Sequence, residues 1–149
     1  IIDIPNSLTN ICNLDNYYIF GVSHKNHLLE SIFYNIDNSF KFEEPTKKNE
    51  IIEEFKNLLK DVNTKKGEMI FSNNFNSEYI DMCSDYFNIN VLCINCDDNS
   101  YSISKELNSS IETIIIVNIF NKYLPLLHLF GEKPSYSLCS TIIKYFNNK

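Results

Sequence analysis

Arginine and tryptophan are absent from this chain of 149 residues, which also has only three glycines and four prolines. Three glycines leave no room for a Gly-rich phosphate-binding loop. They also leave no Gly-x-Ser-x-Gly elbow for a serine hydrolase. The 13 lysines are scattered apart from Lys47-Lys48 and Lys65-Lys66. With no basic stripe interleaved with aromatics, binding to nucleic acid through phosphate neutralisation is excluded as an expectation. The longest apolar run, Ile114-Ile115-Ile116-Val117, is far too short to span a bilayer. No stretch has the pattern of a secretory signal. The five cysteines are odd in number and lack the spacing of a disulfide framework, which points to a reduced, intracellular chain.

Asn, Ile, Lys and Tyr are used heavily instead. Their codons are A/T-rich, which fits the genome of a large DNA virus, a protist or a low-GC bacterium. Composition therefore describes the genome more than the function. The content is otherwise that of a globular protein, 44% hydrophobic and 21% charged. The length suits one domain over residues 1–149. The net charge of -6 suits a basic partner surface, or no electrostatic partner. The chain opens on Ile1 rather than Met, from which a segment of a larger protein is expected.

The chain alternates helical and extended patterns. Tyr17 to Phe20 reads as a short strand stopped by Gly21. Leu28, Ile32 and Tyr34-Asn35-Ile36 recur at helical spacing, with Leu29 and Phe33 beside them, and predict a buried helix ending near Asn38. Phe40 to Pro45 reads as a loop. Thr46 is expected to cap a second helix running to Val62, with its Lys-rich face in solvent, ended by Asn63 to Gly67. Phe71 to Asn76 reads as a polar loop, and a third helix starts at Asn76-Ser77-Glu78. Ile89 to Ile94 is a strand rich in β-branched residues, Cys96 to Ser100 a turn, and Tyr101 to Ser104 an edge strand. Thr113 to Phe120 predicts a central strand covered on both faces. Asn121-Lys122 reads as the turn into a strand from Tyr123 to Phe130. Thr141 to Phe146 fits a terminal helix or strand. The expected fold class is α/β (α+β), a small mixed sheet flanked by helices.

The loop Val22-Ser23-His24-Lys25-Asn26-His27 running into the first long helix is the leading site candidate. A helix N-terminus offers unpaired N–H groups and partial positive charge, which suit a nucleophile or an anion. His24, Asn26 and His27 fall in that first turn.

Three stretches resemble motifs of the ovarian-tumour (OTU) family of cysteine proteases, which remove ubiquitin from proteins. The family's first motif reads roughly Asp-Gly-Asn-Cys-Leu-Phe-x-Ala-hydrophobic, with the nucleophilic Cys opening a helix. His24-Lys25-Asn26-His27-Leu28-Leu29-Glu30-Ser31-Ile32 resembles it in length, in the Asn, and in the apolar and small positions. Glu78 to Val91 resembles the middle motif, a Glu-rich helix followed by a turn and an apolar strand. Ile114 to Leu126 resembles the last motif, an apolar strand, then Asn-His-Tyr, then a second strand. The resemblance covers roughly residues 20–130 and implies an OTU-like, papain-type architecture. It departs from the family at the reactive positions. His27 stands at the nucleophile, His24 at the leading acid and Lys122 at the general base, followed by Tyr123. An imidazole and an ammonium cannot replace a thiolate beside an imidazole. The resemblance therefore implies a degenerate deubiquitinase fold, a pseudoenzyme without cofactor acting as a protein-interaction module. Its partner would be a ubiquitin-like protein or another domain of its parent, in host cytoplasm or virion if the source is viral.

Other chemistries are open at this point. His24-x-x-His27 with Cys93-x-x-Cys96 supplies two nitrogens and two sulfurs, enough for tetrahedral zinc in a small structural domain. The plainer reading makes Cys93 a small hydrophobe inside an apolar strand. A relocated thiol, Cys12, Cys83 or Cys139, with His128 as base, would give an active cysteine hydrolase. The plainer reading packs Cys83 in its helix and His128 in a core edge. Ser23 and Ser31 lie near His24 and His27 but lack the serine-hydrolase elbow. Tyr101, Tyr123 and Tyr136 are candidates for a partner surface.

Overall fold

A central strand with unlike neighbours organises the molecule. The computed structural model describes residues 1–23, 25–62, 75, 77–104 and 106–148, with side chains left out for 60–62 and 77–79. Among the described residues, five strands form one mixed sheet: β1 (Tyr17–Ile19), β2 (Asn90–Asn95), β3 (Ser100–Ile103), β4 (Thr113–Ile119) and β5 (Lys122–His128), in the order β1-β5-β4-β2-β3. β4 runs parallel to β2 and antiparallel to β5, while β1 and β3 are antiparallel edges. The helices are α1 (Asn6–Thr9), α2 (His27–Ile36), α3 (Pro45–Val62), α4 (Ser77–Phe87) and α5 (Tyr136–Asn147), with a 3-10 turn at Phe40–Phe42. This is the expected α+β class.

The sheet separates two apolar layers. Leu28, Ile32, Phe55 and Ile80, from α2, α3 and α4, pack on one face against Cys93, Ile114, Ile116, Tyr123 and Leu127. Leu8, Cys139 and Ile142, from α1 and α5, pack on the other against Leu92, Ile94, Ile115, Val117, Leu124 and Leu126. Adjacent residues of β4 thus go to opposite layers, as a period of two requires of a strand buried on both faces.

Several boundaries differ from expectation for physical reasons. The second helix starts at Pro45, a residue pre-set for the first helical position, and the Glu44 carbonyl accepts from Lys48 N–H at 2.9 Å. Thr46 is therefore inside the helix rather than its cap. The β4–β5 turn is Phe120-Asn121, with φ of 50° and 60°, so Lys122 belongs to the strand. β5 stops at His128, two residues short of Phe130. The C-terminal element is a helix that starts five residues before Thr141, with the Ser135 hydroxyl accepting from Leu138 N–H at 3.1 Å. The expected helix end over Asn63 to Gly67 and the loop over Phe71 to Asn76 lie outside the described residues, Phe75 excepted, as does the helix start at Asn76. Among the described residues, no helix is long and apolar enough to cross a membrane.

Candidate functional site

His27 is the first residue of α2 and is 8% exposed. Its Nδ1 accepts the backbone N–H of Tyr123 at 2.9 Å, and the two rings stack with centroids 5.6 Å apart. One helical turn on, the Ser31 hydroxyl donates toward the carbonyls of His27, at 2.6 Å, and Tyr123, at 3.0 Å. Both main-chain groups of Tyr123 are thus met by side chains of α2.

The reason lies in the sheet edge. Alternate residues of β5 aim their N–H and C=O groups toward β1. The last main-chain contact there is Phe20 N–H to the Pro125 carbonyl, at 3.3 Å, after which the chain leaves at Gly21. Tyr123, two residues from Pro125, faces the vacated edge, and His27 and Ser31 stand in for the missing strand. Pro125 fits the same pattern, because its missing N–H is not required by the β4 ladder.

The loop before α2 is fixed by a carboxylate. Glu30, 6% exposed in the first turn, accepts Ser23 N–H at 2.8 Å and the Ser23 hydroxyl at 2.6 Å through Oε2. Negative charge suits this end of the helix dipole. Asn26 stands at the N-cap without making a side-chain cap, and its Oδ1 accepts from Lys56 Nζ at 2.7 Å. Lys56 is therefore anchored, unlike the solvated lysine face expected of α3, and it also pairs with Glu53 at 3.5 Å. Serine chemistry gains nothing here, since the Ser31 hydroxyl donates toward main-chain carbonyls and Ser23 to a carboxylate.

Of the positions singled out by sequence, Asn26, His27 and Tyr123 come together, and His24 lies outside the described residues. Lys122 does not join them. Strand alternation puts it with Leu124 and Leu126 on the α5 side, while Tyr123 faces α2. The residue opposite His27 is thus Tyr123 and not the one aligned with the family's base. The Tyr123 hydroxyl accepts Phe75 N–H at 3.0 Å. Burial pushes the phenol up, partly offset by that N–H, with the nearby Cys93 raising it further. Ser31, Glu30 and Lys56 complete the arrangement. Ser31 was within reach of sequence reading through its i+4 spacing from His27, whereas Lys56 gave no signal.

Among the described members of the zinc set, the two cysteines are not brought together. Cys93 packs in the α2 layer and Cys96 against the α5 layer, an odd separation that sends them to opposite sides of the sheet. Among the described residues, no group of three or more His, Cys, Asp or Glu is placed to hold a metal. Burial raises all five thiols, to about 12 for Cys83 and about 11 for Cys96 and Cys139, and raises Cys12 and Cys93 as well. They are protonated at neutral pH, so none is poised as a thiolate. His128 is occupied otherwise, with Nδ1 accepting Phe130 N–H at 3.1 Å and its ring edge-on to Tyr17. Of the three tyrosines considered for a partner surface, Tyr123 is buried and Tyr101 hydrogen-bonds Asn147 at 3.0 Å, leaving Tyr136 exposed. No protein-family model matches the chain, and no curated protein matches it.

Proposed function

We propose that this chain is a catalytically inactive OTU-like domain that serves as a protein-interaction or scaffolding module. The observation that carries the reading is the contact between His27 and Tyr123. A helix N-terminus meets the start of a hairpin strand, the juxtaposition a cysteine protease of this family needs for thiol and imidazole. Here an imidazole occupies the thiol's place and accepts a main-chain N–H, a structural task. The ring across from it is a phenol, which supplies no base at neutral pH. The protonated state of the five thiols counts against a relocated nucleophile. A ubiquitin-like protein or another domain of a parent chain remains the proposed partner, in host cytoplasm or virion if the source is viral.

The test is a ubiquitin derivative with a thiol-reactive C-terminal electrophile. The native protein is expected to remain unlabelled, and an adduct on any cysteine overturns the inactive reading. His27→Cys combined with Tyr123→His restores thiol and imidazole at the facing positions. Labelling confined to that double variant supports the family reading, and a folded double variant that stays unlabelled counts against it.

A further inference from the structure

We propose that the groove at the C-terminal end of α2 docks an acidic peptide segment of another protein, one carrying aromatic or aliphatic side chains between its carboxylates. The groove encloses about 240 Å³ between α2, the 3-10 turn and the chain leaving β5. Two phenyl rings stand on its rim, Phe42 and Phe130, 78% and 76% exposed. Apolar rings left in water beside a concavity mark a contact surface rather than scattered surface residues.

Its charge decides the partner. Among the described residues, Lys41 and Lys133 line the groove against the single carboxylate of Glu132. That carboxylate lies 3.8 Å from the His128 Nε2. The chain as a whole has 19 acidic residues against 13 lysines. A groove with more lysines than acids therefore reverses the background and favours an acidic occupant over a groove-to-groove contact between two copies, which would set lysine against lysine. Both ammonium groups are held in place. Lys41 donates to the Tyr18 hydroxyl at 3.2 Å and lies 5.2 Å from the Phe42 ring centre. Lys133 donates to the Asn35 carbonyl, where the end of α2 leaves acceptors unpaired. An ammonium has three donors, so each keeps capacity for a carboxylate.

The wall is preformed as well. Phe130 N–H and Gly131 N–H both return to His128, at 3.1 Å to Nδ1 and 3.0 Å to the carbonyl, and Gly131 takes a φ of 77°. Little ordering remains to be done on binding. The groove is also separate from the His27 end of α2, about 15 Å away along ten helical residues.

The test is an NMR titration of the isotope-labelled protein with a capped hexapeptide of alternating glutamate and phenylalanine. A lysine–phenylalanine hexapeptide and phosphatidylserine vesicles serve as comparisons. The acidic peptide is expected to shift Lys41, Phe130 and Lys133 saturably. Phe42→Ala with Phe130→Ala should weaken it by about tenfold or more, and Lys41→Glu should abolish it. These side chains are at the surface, and an unchanged amide spectrum of each variant verifies its fold. The proposal is overturned if the basic peptide binds equally well, or if the acidic peptide shifts none of these residues at millimolar concentration. It is also overturned if vesicles bind there and the peptide does not.

Discussion

Asp97, in the turn after β2, accepts the N–H of Phe120 through Oδ1 at 2.9 Å, and its Oδ2 takes the next N–H, that of Asn121, at 3.0 Å. The two-residue turn has both φ values positive, which Asn tolerates and Phe does not. Phe120 is 89% exposed, so no burial offsets the strain. Phe120→Asn should therefore raise stability by about 1 kcal/mol, and Asp97→Ala should lower it by about 1–2 kcal/mol. Urea denaturation of the two variants checks both signs.

This clamp explains one boundary that the sequence did not reveal. Reading locally, Asn121-Lys122 looks like the turn, because nothing nearby permits a phenylalanine at positive φ. The permission comes from Asp97, on a different strand connection. By contrast, Ile114 to Val117 could be read as the sheet centre because an unbroken apolar run needs cover on both faces. The period of α2 was equally plain. The role of His27 was not, since it depends on where β1 ends beside β5. The opposite facing of Cys93 and Cys96 was legible only once the strand was known to extend to Asn95.

Removing the imidazole should leave a buried donor unpaired. His27→Leu is expected to cost about 1–3 kcal/mol through the orphaned Tyr123 N–H. Ser31→Ala should cost about 1 kcal/mol. Because both act on Tyr123, the double variant should depart from the sum of the two. A double-mutant cycle from chemical denaturation reads the coupling, and strict additivity would argue against a shared edge-capping role.

Glu30 should matter more than its place on a helix surface pattern implies. Glu30→Ala removes the acceptor for both Ser23 donors and is expected to cost about 2 kcal/mol. Hydrogen exchange at the Ser23 amide should speed up in that variant. An unchanged rate would show that the loop holds without it.

Alkaline pH should destabilise the fold. Burial pushes the thiols of Cys83, to about 12, and of Cys139 and half-buried Cys96, to about 11, above the ordinary 9.0. On raising the pH, the unfolded chain loses these protons first and is favoured. This contribution is intact below about pH 9 and declines as pH rises through about 12. Urea midpoints at a series of pH values test it, and Cys83→Ala should flatten the decline. Native-state alkylation at neutral pH should spare Cys83, Cys93 and Cys139, each 0% exposed.

The placing of β1 beside β5 also sets a timetable for synthesis. Tyr17 pairs with His128, so the first strand made must wait for the last. At about 5–20 residues per second, the roughly 110 intervening residues take roughly 5–20 s. Until β4 and β5 follow, α2 lacks its seat on the sheet, and Leu28 and Ile32 lack the strand residues they pack against, while Phe33 already has Phe40 and Phe55 to pack on. A nascent chain halted before Lys122 has made its edge strand and its central helix, yet has no hairpin to receive either.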